Sequence, residues 1–142
     1  MDDEASVSRT APVRFEYGGT PPPFNAPKKH FRLCRTPLLD ADIQVLGKKG
    51  ANNLHSHSGN DGFWFVLGGR AKFYDQNDNV IADLGPLQGV CIEHDTAYWF
   101  ESAGEDLLEI LHVGASDPRV DDQRVDHRPR RIKGGLPIGA AD

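Results

Sequence analysis

The sequence predicts an all-β barrel or sandwich, and three observations carry the prediction. Glycine and proline supply 25 of the 142 residues, roughly 18% where a typical chain has ~12%. Short runs of β character alternate with turn clusters about every ten residues. No window of about twelve residues combines a 3.6-residue apolar period with helix caps. At ~100–200 residues per domain, the length accommodates one domain.

Taken in chain order, residues 1–29 read as an irregular arm. Gly18-Gly19 and Pro21-Pro22-Pro23 cannot continue a helix or sit inside a central strand. The barrel is expected over residues 30–115. Its β runs are Phe31 to Arg35, Ile43 to Gly47, Asn53 to His57, Phe63 to Gly68, Ala71 to Tyr74, Val80 to Leu84, Val90 to Glu93, Ala97 to Glu101 and Leu107 to Val113. Asp75-Gln76-Asn77-Asp78-Asn79 reads as a hairpin tip, because Asp and Asn tolerate left-handed backbone and hydrogen-bond their own chain. Residues 116–142 form a tail without hydrophobic periodicity that carries Arg128-Pro129-Arg130-Arg131 and Lys133. That pattern reads as a solvated segment or an arm clasping a partner subunit. Phe63 to Leu67 and Leu107 to Val113 are apolar on both faces, so the barrel's outer face needs a cover. The N-terminal arm or a second subunit would supply it, and a homodimer is the economical expectation.

Composition excludes several classes of function. A formal charge of −5 makes no electrostatic case for nucleic acid or an anionic membrane surface. The apolar run Phe63 to Leu67 is far short of the ~20 residues that span a bilayer. The start Met1-Asp2-Asp3-Glu4 lacks the apolar core of a signal peptide. Cys34 and Cys91 lie far apart without Cys-x-x-Cys spacing, which suggests neither a disulfide framework nor a zinc knuckle. A cytoplasmic location is the resulting expectation. Cys91 itself reads as a buried structural thiol near Glu93.

The chemistry is concentrated in Gly50 to Gly62. On a strand, His55 and His57 are two apart and project to one side, close enough to share an ion. Asp61 follows after Ser58-Gly59-Asn60, a turn that would return the chain and bring a carboxylate beside the imidazoles. Two imidazoles and one carboxylate form the set associated with open-sited divalent metals, iron(II) above all. Phe63, Phe65 and Phe100 share the expected inward parity of Asp61 and Tyr98, and would line a mostly apolar pocket. His112 could point inward beside Leu108 and Ile110. His30 and His127 read as surface residues. Arg70 and Lys72 read as outward, leaving an anionic substrate without specific support. Metal hydrolases on (β/α)₈ barrels also use His-x-His, but they need about 250 residues and alternating helices.

The run Gly50, His55-Ser56-His57, three residues, Asp61, six residues, Gly68 resembles the first motif of the cupin superfamily. That motif is a glycine, His-x-His, three or four residues, glutamate, six residues and a glycine. The chain departs from it in a leading gap of four residues rather than five, and in Asp for Glu. The second motif aligns with Gly89 to Phe100, where Tyr98 stands at the position of the family's metal histidine and His94 lies in the preceding turn. The resemblance spans about Phe31 to Val113 and implies a double-stranded β-helix, or jelly-roll, barrel with a metal inside. It implies His55, His57 and Asp61 as ligands, with Tyr98 as a fourth ligand or a proton-handling residue and His94 as the alternative. The expected function is a non-haem iron(II) oxygenase acting on a small organic substrate. An isomerase, lyase or hydrolase using Zn, Mn or Ni, and a non-enzymatic small-molecule-binding module, are the alternatives.

Overall fold

A computed structural model describes residues 11–20, 24 and 28–130. Ten strands follow one another, with no helix among the described residues: β1 (Lys28–Arg35), β2 (Leu39–Leu46), β3 (His55–His57), β4 (Asn60–Gly68), β5 (Ala71–Tyr74), β6 (Val80–Leu84), β7 (Gly89–Ile92), β8 (Trp99–Ser102), β9 (Leu108–Ser116) and β10 (Arg124–Asp126). A five-stranded sheet of order β1-β2-β9-β4-β7 faces a three-stranded sheet of order β6-β5-β8, and β3 pairs with β10. All the pairings are antiparallel.

The core forms between the two sheets. Leu46, Trp64, Val66, Leu108 and Ile110 from one layer meet Ala71, Phe73, Leu84 and Phe100 from the other. Phe73 and Phe100 stack at 4.9 Å between ring centroids and 18° between planes, and Trp64 tilts onto Phe100 at 4.9 Å. Such aromatic packing supplies much of the apolar burial in a fold this small.

The turn chemistry behaves as its residues require. The Asp75 carboxylate accepts the backbone N–H of Asn77 and of Asn79, at 2.8 and 2.9 Å, and Asp78 adopts a φ of 61°. At the β4–β5 turn the left-handed residue is Gly69, with φ +82°, where a Cβ would stand 2.4 Å from the Leu107 carbonyl oxygen. Gly68 carries no such demand.

The arm covers part of the outer face. Tyr17 packs its ring 5.7 Å from that of Phe31 and gives its hydroxyl hydrogen to Glu109, while Thr20 bonds the same carboxylate at 3.2 Å. Pro21-Pro22-Pro23 lies outside the described residues. Ile43 and Val45 on the outer side of β2 are buried, whereas Phe63 stays 46% exposed. The described part of the tail is largely exposed but also forms a strand: β10 pairs Arg124 with His57 and Asp126 with His55. Arg131 and Lys133 lie outside the described residues. Cys91, expected to be buried, is exposed. It sits opposite Phe63 on the outward side of β7, and Ile92 takes the buried position beside it.

Phe73 tests this packing. Phe73→Ala is expected to lower the unfolding free energy in urea by ~3–5 kcal/mol without changing the slope, as large-to-small aromatic changes in a close-packed core do. A loss below about 1 kcal/mol would show that the two layers do not meet at this ring.

Candidate functional site

The site is a cavity of about 390 Å³ at the open end of the barrel, walled by β1, β2, β3, β4, β7, β9 and β10. Four imidazoles border it, those of His30, His55, His57 and His112, together with Lys28, Arg124, Arg130, Glu93, Gln44 and Tyr98. Apolar surface comes from Trp64 and Ile92. The lining is polar and cationic rather than the phenylalanine pocket expected from the sequence.

His55 and His57 project together, as their spacing requires, with ring centroids 5.3 Å apart and planes at 87°. Each imidazole is oriented through Nδ1. That of His55 donates to the Asn53 carbonyl at 2.8 Å, and that of His57 donates to the Asp122 carboxylate at 2.8 Å. Each Nε2 is therefore the uncommitted nitrogen, which is the way metal-binding histidines are usually held. Burial pushes His55 down to about 3, against the opposing bond from Asn53. It is neutral at pH 7, with a lone pair available on Nε2.

Tyr98 is the third member of this group. It exchanges backbone hydrogen bonds with His55 at 3.0 and 3.1 Å, and its ring lies 5.0 Å from the His55 ring. Burial raises its hydroxyl to about 12, with the neighbouring Trp64 indole and Arg124 opposing the rise. In the protein alone it is a phenol, not a phenolate.

Asp61 does not join them. The turn after His57 has only two residues, Ser58 and Gly59, because β4 already starts at Asn60. Asn60, Gly62 and Trp64 consequently line the cavity. Asp61, Phe63 and Phe65 project outward, and Phe63 stacks on Phe65 at 6.4 Å. The Asp61 carboxylate accepts both the backbone N–H and Nδ1–H of His94, at 2.8 and 2.9 Å. That pairing lowers Asp61 and raises His94. His94 is thus occupied on the outside of the barrel. Phe100 faces inward but is fully buried in the core behind the cavity.

The family motif fits better one step along. With four residues between, His57 is followed by Gly62, and with six more between, Gly62 is followed by Gly69, the glycine with positive φ. Gly62 therefore occupies the inward position where the motif carries its acid. Among the described residues, no group of three or more His, Cys, Asp or Glu side chains could hold a metal ion. The oriented imidazole pair fits a divalent ion, with the Tyr98 oxygen as neighbouring donor. The carboxylate expected from Asp61 does not fit.

His112 faces the cavity. Its Nδ1 is 3.3 Å from Asp42 Oδ1 and its ring lies 4.2 Å from Trp64. His30, expected at the surface, borders the cavity and bonds the other Asp42 oxygen at 2.9 Å. Burial works to raise Asp42, but the hydrogen bonds from His112 and His30 override it and hold the carboxyl far below its ordinary value. His127 is exposed and bonds Ser56 Oγ at 3.0 Å. Arg70 pairs outside with Asp83 at 2.9 Å, and neither it nor Lys72 lines the cavity.

Sequence reasoning missed Lys28, Gln44, Gly62, Trp64 and Arg124. Burial lowers Lys28 to about 8, partly offset by Asp42. Arg124 bonds Asp126 Oδ1 at 2.9 Å and Asn53 Oδ1 at 2.8 Å, which fastens the tail across the imidazole pair. Reading the motif with its four-residue gap would have exposed Gly62 and Trp64. Alternation back from Phe31 puts Lys28 and His30 on one face of β1.

Comparison with known proteins supports the fold. No family model matches the chain, and no curated protein matches it. Among solved structures, a Klebsiella pneumoniae protein with a double-stranded β-helix domain superposes with a TM-score of 0.64 at 14% identity, covering 73% of this chain and 82% of that one. A sugar phosphate isomerase from a cupin superfamily, from Silicibacter pomeroyi, gives 0.61 at 16% identity, covering 74% and 71%. KdgF from Halomonas gives 0.56 at 17%, covering 66% and 83%. With its two facing antiparallel sheets and the His-x-His pair at the barrel mouth, the chain has the cupin fold, the double-stranded β-helix barrel of the cupin superfamily.

Proposed function

We propose that the chain is a metal-dependent enzyme acting on a small organic substrate in this cavity. His55 and His57 are its imidazole ligands, and Tyr98 is the adjacent oxygen donor. The observation that carries the reading is the pair of Nδ1 anchors, Asn53 and Asp122, which leave both Nε2 atoms uncommitted on one side of the cavity. A barrel mouth has no packing reason to orient two imidazoles in this way.

The iron(II) oxygenase expectation relied on a carboxylate beside the imidazoles. With Asp61 turned outward, the donors are two imidazoles and a phenol, a set that suits zinc and nickel as readily as iron. Isomerase, lyase or hydrolase chemistry is therefore the form we favour, and the structural likeness to a sugar phosphate isomerase is consistent with it. A divalent ion held there would act as a Lewis acid on a substrate oxygen. The chain's own groups do the rest. Lys28 orients negative charge on the substrate, while Arg124 fastens the tail across the imidazole pair. Tyr98 holds a proton on Oη at neutral pH and can donate it to a developing oxyanion. His112, steadied by Asp42, presents Nε2 for the complementary proton transfer.

Elemental analysis of protein purified without added metal is expected to find about one divalent ion per chain. His55→Ala and His57→Ala should retain less than about a tenth of it, and Asp122→Asn should weaken metal affinity about tenfold by releasing the His57 ring. A wild-type chain that takes up no metal on titration would overturn the reading. Oxygen uptake on turnover would restore the oxygenase.

The neutrality of His55 has its own readout. Its folded value is about 3 and its unfolded value ~6.5, so below pH 6.5 the unfolded chain binds a proton that the folded chain refuses. Stability contributed by the neutral ring is present above that pH and is lost as pH falls toward 3, by up to ~1.4 kcal/mol per pH unit. In metal-free protein, His55→Asn should remove about 2 kcal/mol of the stability lost between pH 6 and pH 4. An unchanged pH profile would show that His55 is solvated and free to protonate.

A further inference from the structure

We propose that the cavity floor at Gly62 is a docking subsite for the carboxylate of a small hydroxy acid, so that the substrate brings the negative oxygen that β4 withholds. The proposal rests on reading this cavity as the substrate site, and it specifies the substrate's chemical class.

Gly62 is not required by its backbone, since it is absent from the positive-φ residues. The absence of a side chain has a local effect instead. A Cβ there would stand 3.2 Å from Trp64 Nε1 and 3.8 Å from His112 Nε2, so glycine keeps the cavity floor beside both ring nitrogens free of a side chain. Trp64 is only 3% exposed, and its indole N–H, although close enough to the Tyr98 hydroxyl to oppose that group's rise, completes no hydrogen bond of full geometry. Gln44, 6% exposed, likewise has an Oε1 with no partner. Both residues line the cavity. Buried polar groups without partners are uncommon in folded proteins, and a ligand that satisfies them is a direct explanation.

The charges select the ligand. Lys28 lines the same cavity, and its ammonium makes no ion pair among the described residues. Its close aromatic neighbour is the Phe100 ring, 5.9 Å from Nζ to centroid. Arg124 and Arg130 are engaged by Asp126 at 2.9 and 3.0 Å. One uncommitted cation and one indole donor match the two oxygens of a carboxylate better than the three oxygens of a phosphate. The remaining groups need a donor. Gln44 Oε1 is an acceptor, and His112, with Nδ1–H given to Asp42, presents Nε2 as another. A hydroxyl close to the carboxylate serves them, and a second carboxylate would not.

Lactate and propionate differ only by that hydroxyl, which makes them suitable probes for the full-length, chelator-treated chain. Calorimetric titration is expected to show lactate binding at least fivefold more tightly than propionate or inorganic phosphate. Lys28→Met should weaken lactate about tenfold or more. Gly62→Asp, which places the chain's own carboxylate in the subsite, should abolish lactate binding, while a parallel zinc titration shows metal affinity equal to or above wild type. Should Gly62→Asp fail to fold, Gln44→Leu replaces it, and lactate should then fall to the affinity of propionate. Equal binding of lactate, propionate and phosphate, or lactate binding unaffected by Lys28→Met, overturns the subsite. Because these titrations use metal-free protein, lactate binding without zinc binding would overturn the metal reading alone, and zinc binding without lactate binding would overturn the subsite alone.

Discussion

The side-chain parity of β4 decides what this protein holds inside. Strand residues alternate between faces, so a one-residue shift at the strand's entry exchanges its entire inner and outer sets. Here the entry is the two-residue turn Ser58-Gly59, and the register is locked on both sides. Gly62 pairs with Gly114 of β9 and with Ile92 of β7. From that register follow the outward Asp61, the outward Phe63 and Phe65, and the inward Gly62 and Trp64. The polar, cationic cavity is the consequence. Trp64 links the outcome to the core, since its ring contacts Phe73, Phe100, Tyr98 and His112.

A second layer of organisation comes from outside the barrel strands. The tail supplies Asp122, which orients His57, and the Arg124–Asp126–Asn53 network, which closes over His55. Burial works to raise Asp126, but hydrogen bonds from Asn53, Arg130 and Arg124 override it and keep the carboxyl ionised. At the opposite wall, Asp42 receives His30 and His112 together. The four cavity imidazoles are therefore each held by an acceptor at Nδ1 or, for His55, by a carbonyl. Imidazoles oriented in this way are pre-arranged for ligand or metal without later reorganisation.

Much of this was legible in the sequence. Nine β runs correspond to β1 to β9, the Asp75–Asn79 tip is where its residues put it, and His55 and His57 share a face because period two demands it. The acid was misplaced because the motif tolerates three or four intervening residues. Asp61 satisfied the shorter spacing chemically, while the backbone follows the longer. Composition alone does not distinguish Gly68 from Gly69, because only the crowding against Leu107 selects the left-handed residue. The tail strand was hidden for another reason. Arg124-Val125-Asp126 is too short and too polar to show periodicity, and it becomes a strand only by pairing with β3. Gln44 and Arg124 are recruited to the site by tertiary placement, which no local pattern encodes.

In the proposed metal site the imidazole pair holds the ion without the carboxylate that the motif leads one to expect. The direct measurement is the zinc dissociation constant of Asp61→Asn beside that of His57→Ala, each by competition with a chelating dye. Asp61→Asn is expected to stay within about twofold of wild type while His57→Ala weakens binding at least a hundredfold. A loss in Asp61→Asn as large as that in His57→Ala would contradict it, and would mean that β4 presents Asp61, not Gly62, to the cavity.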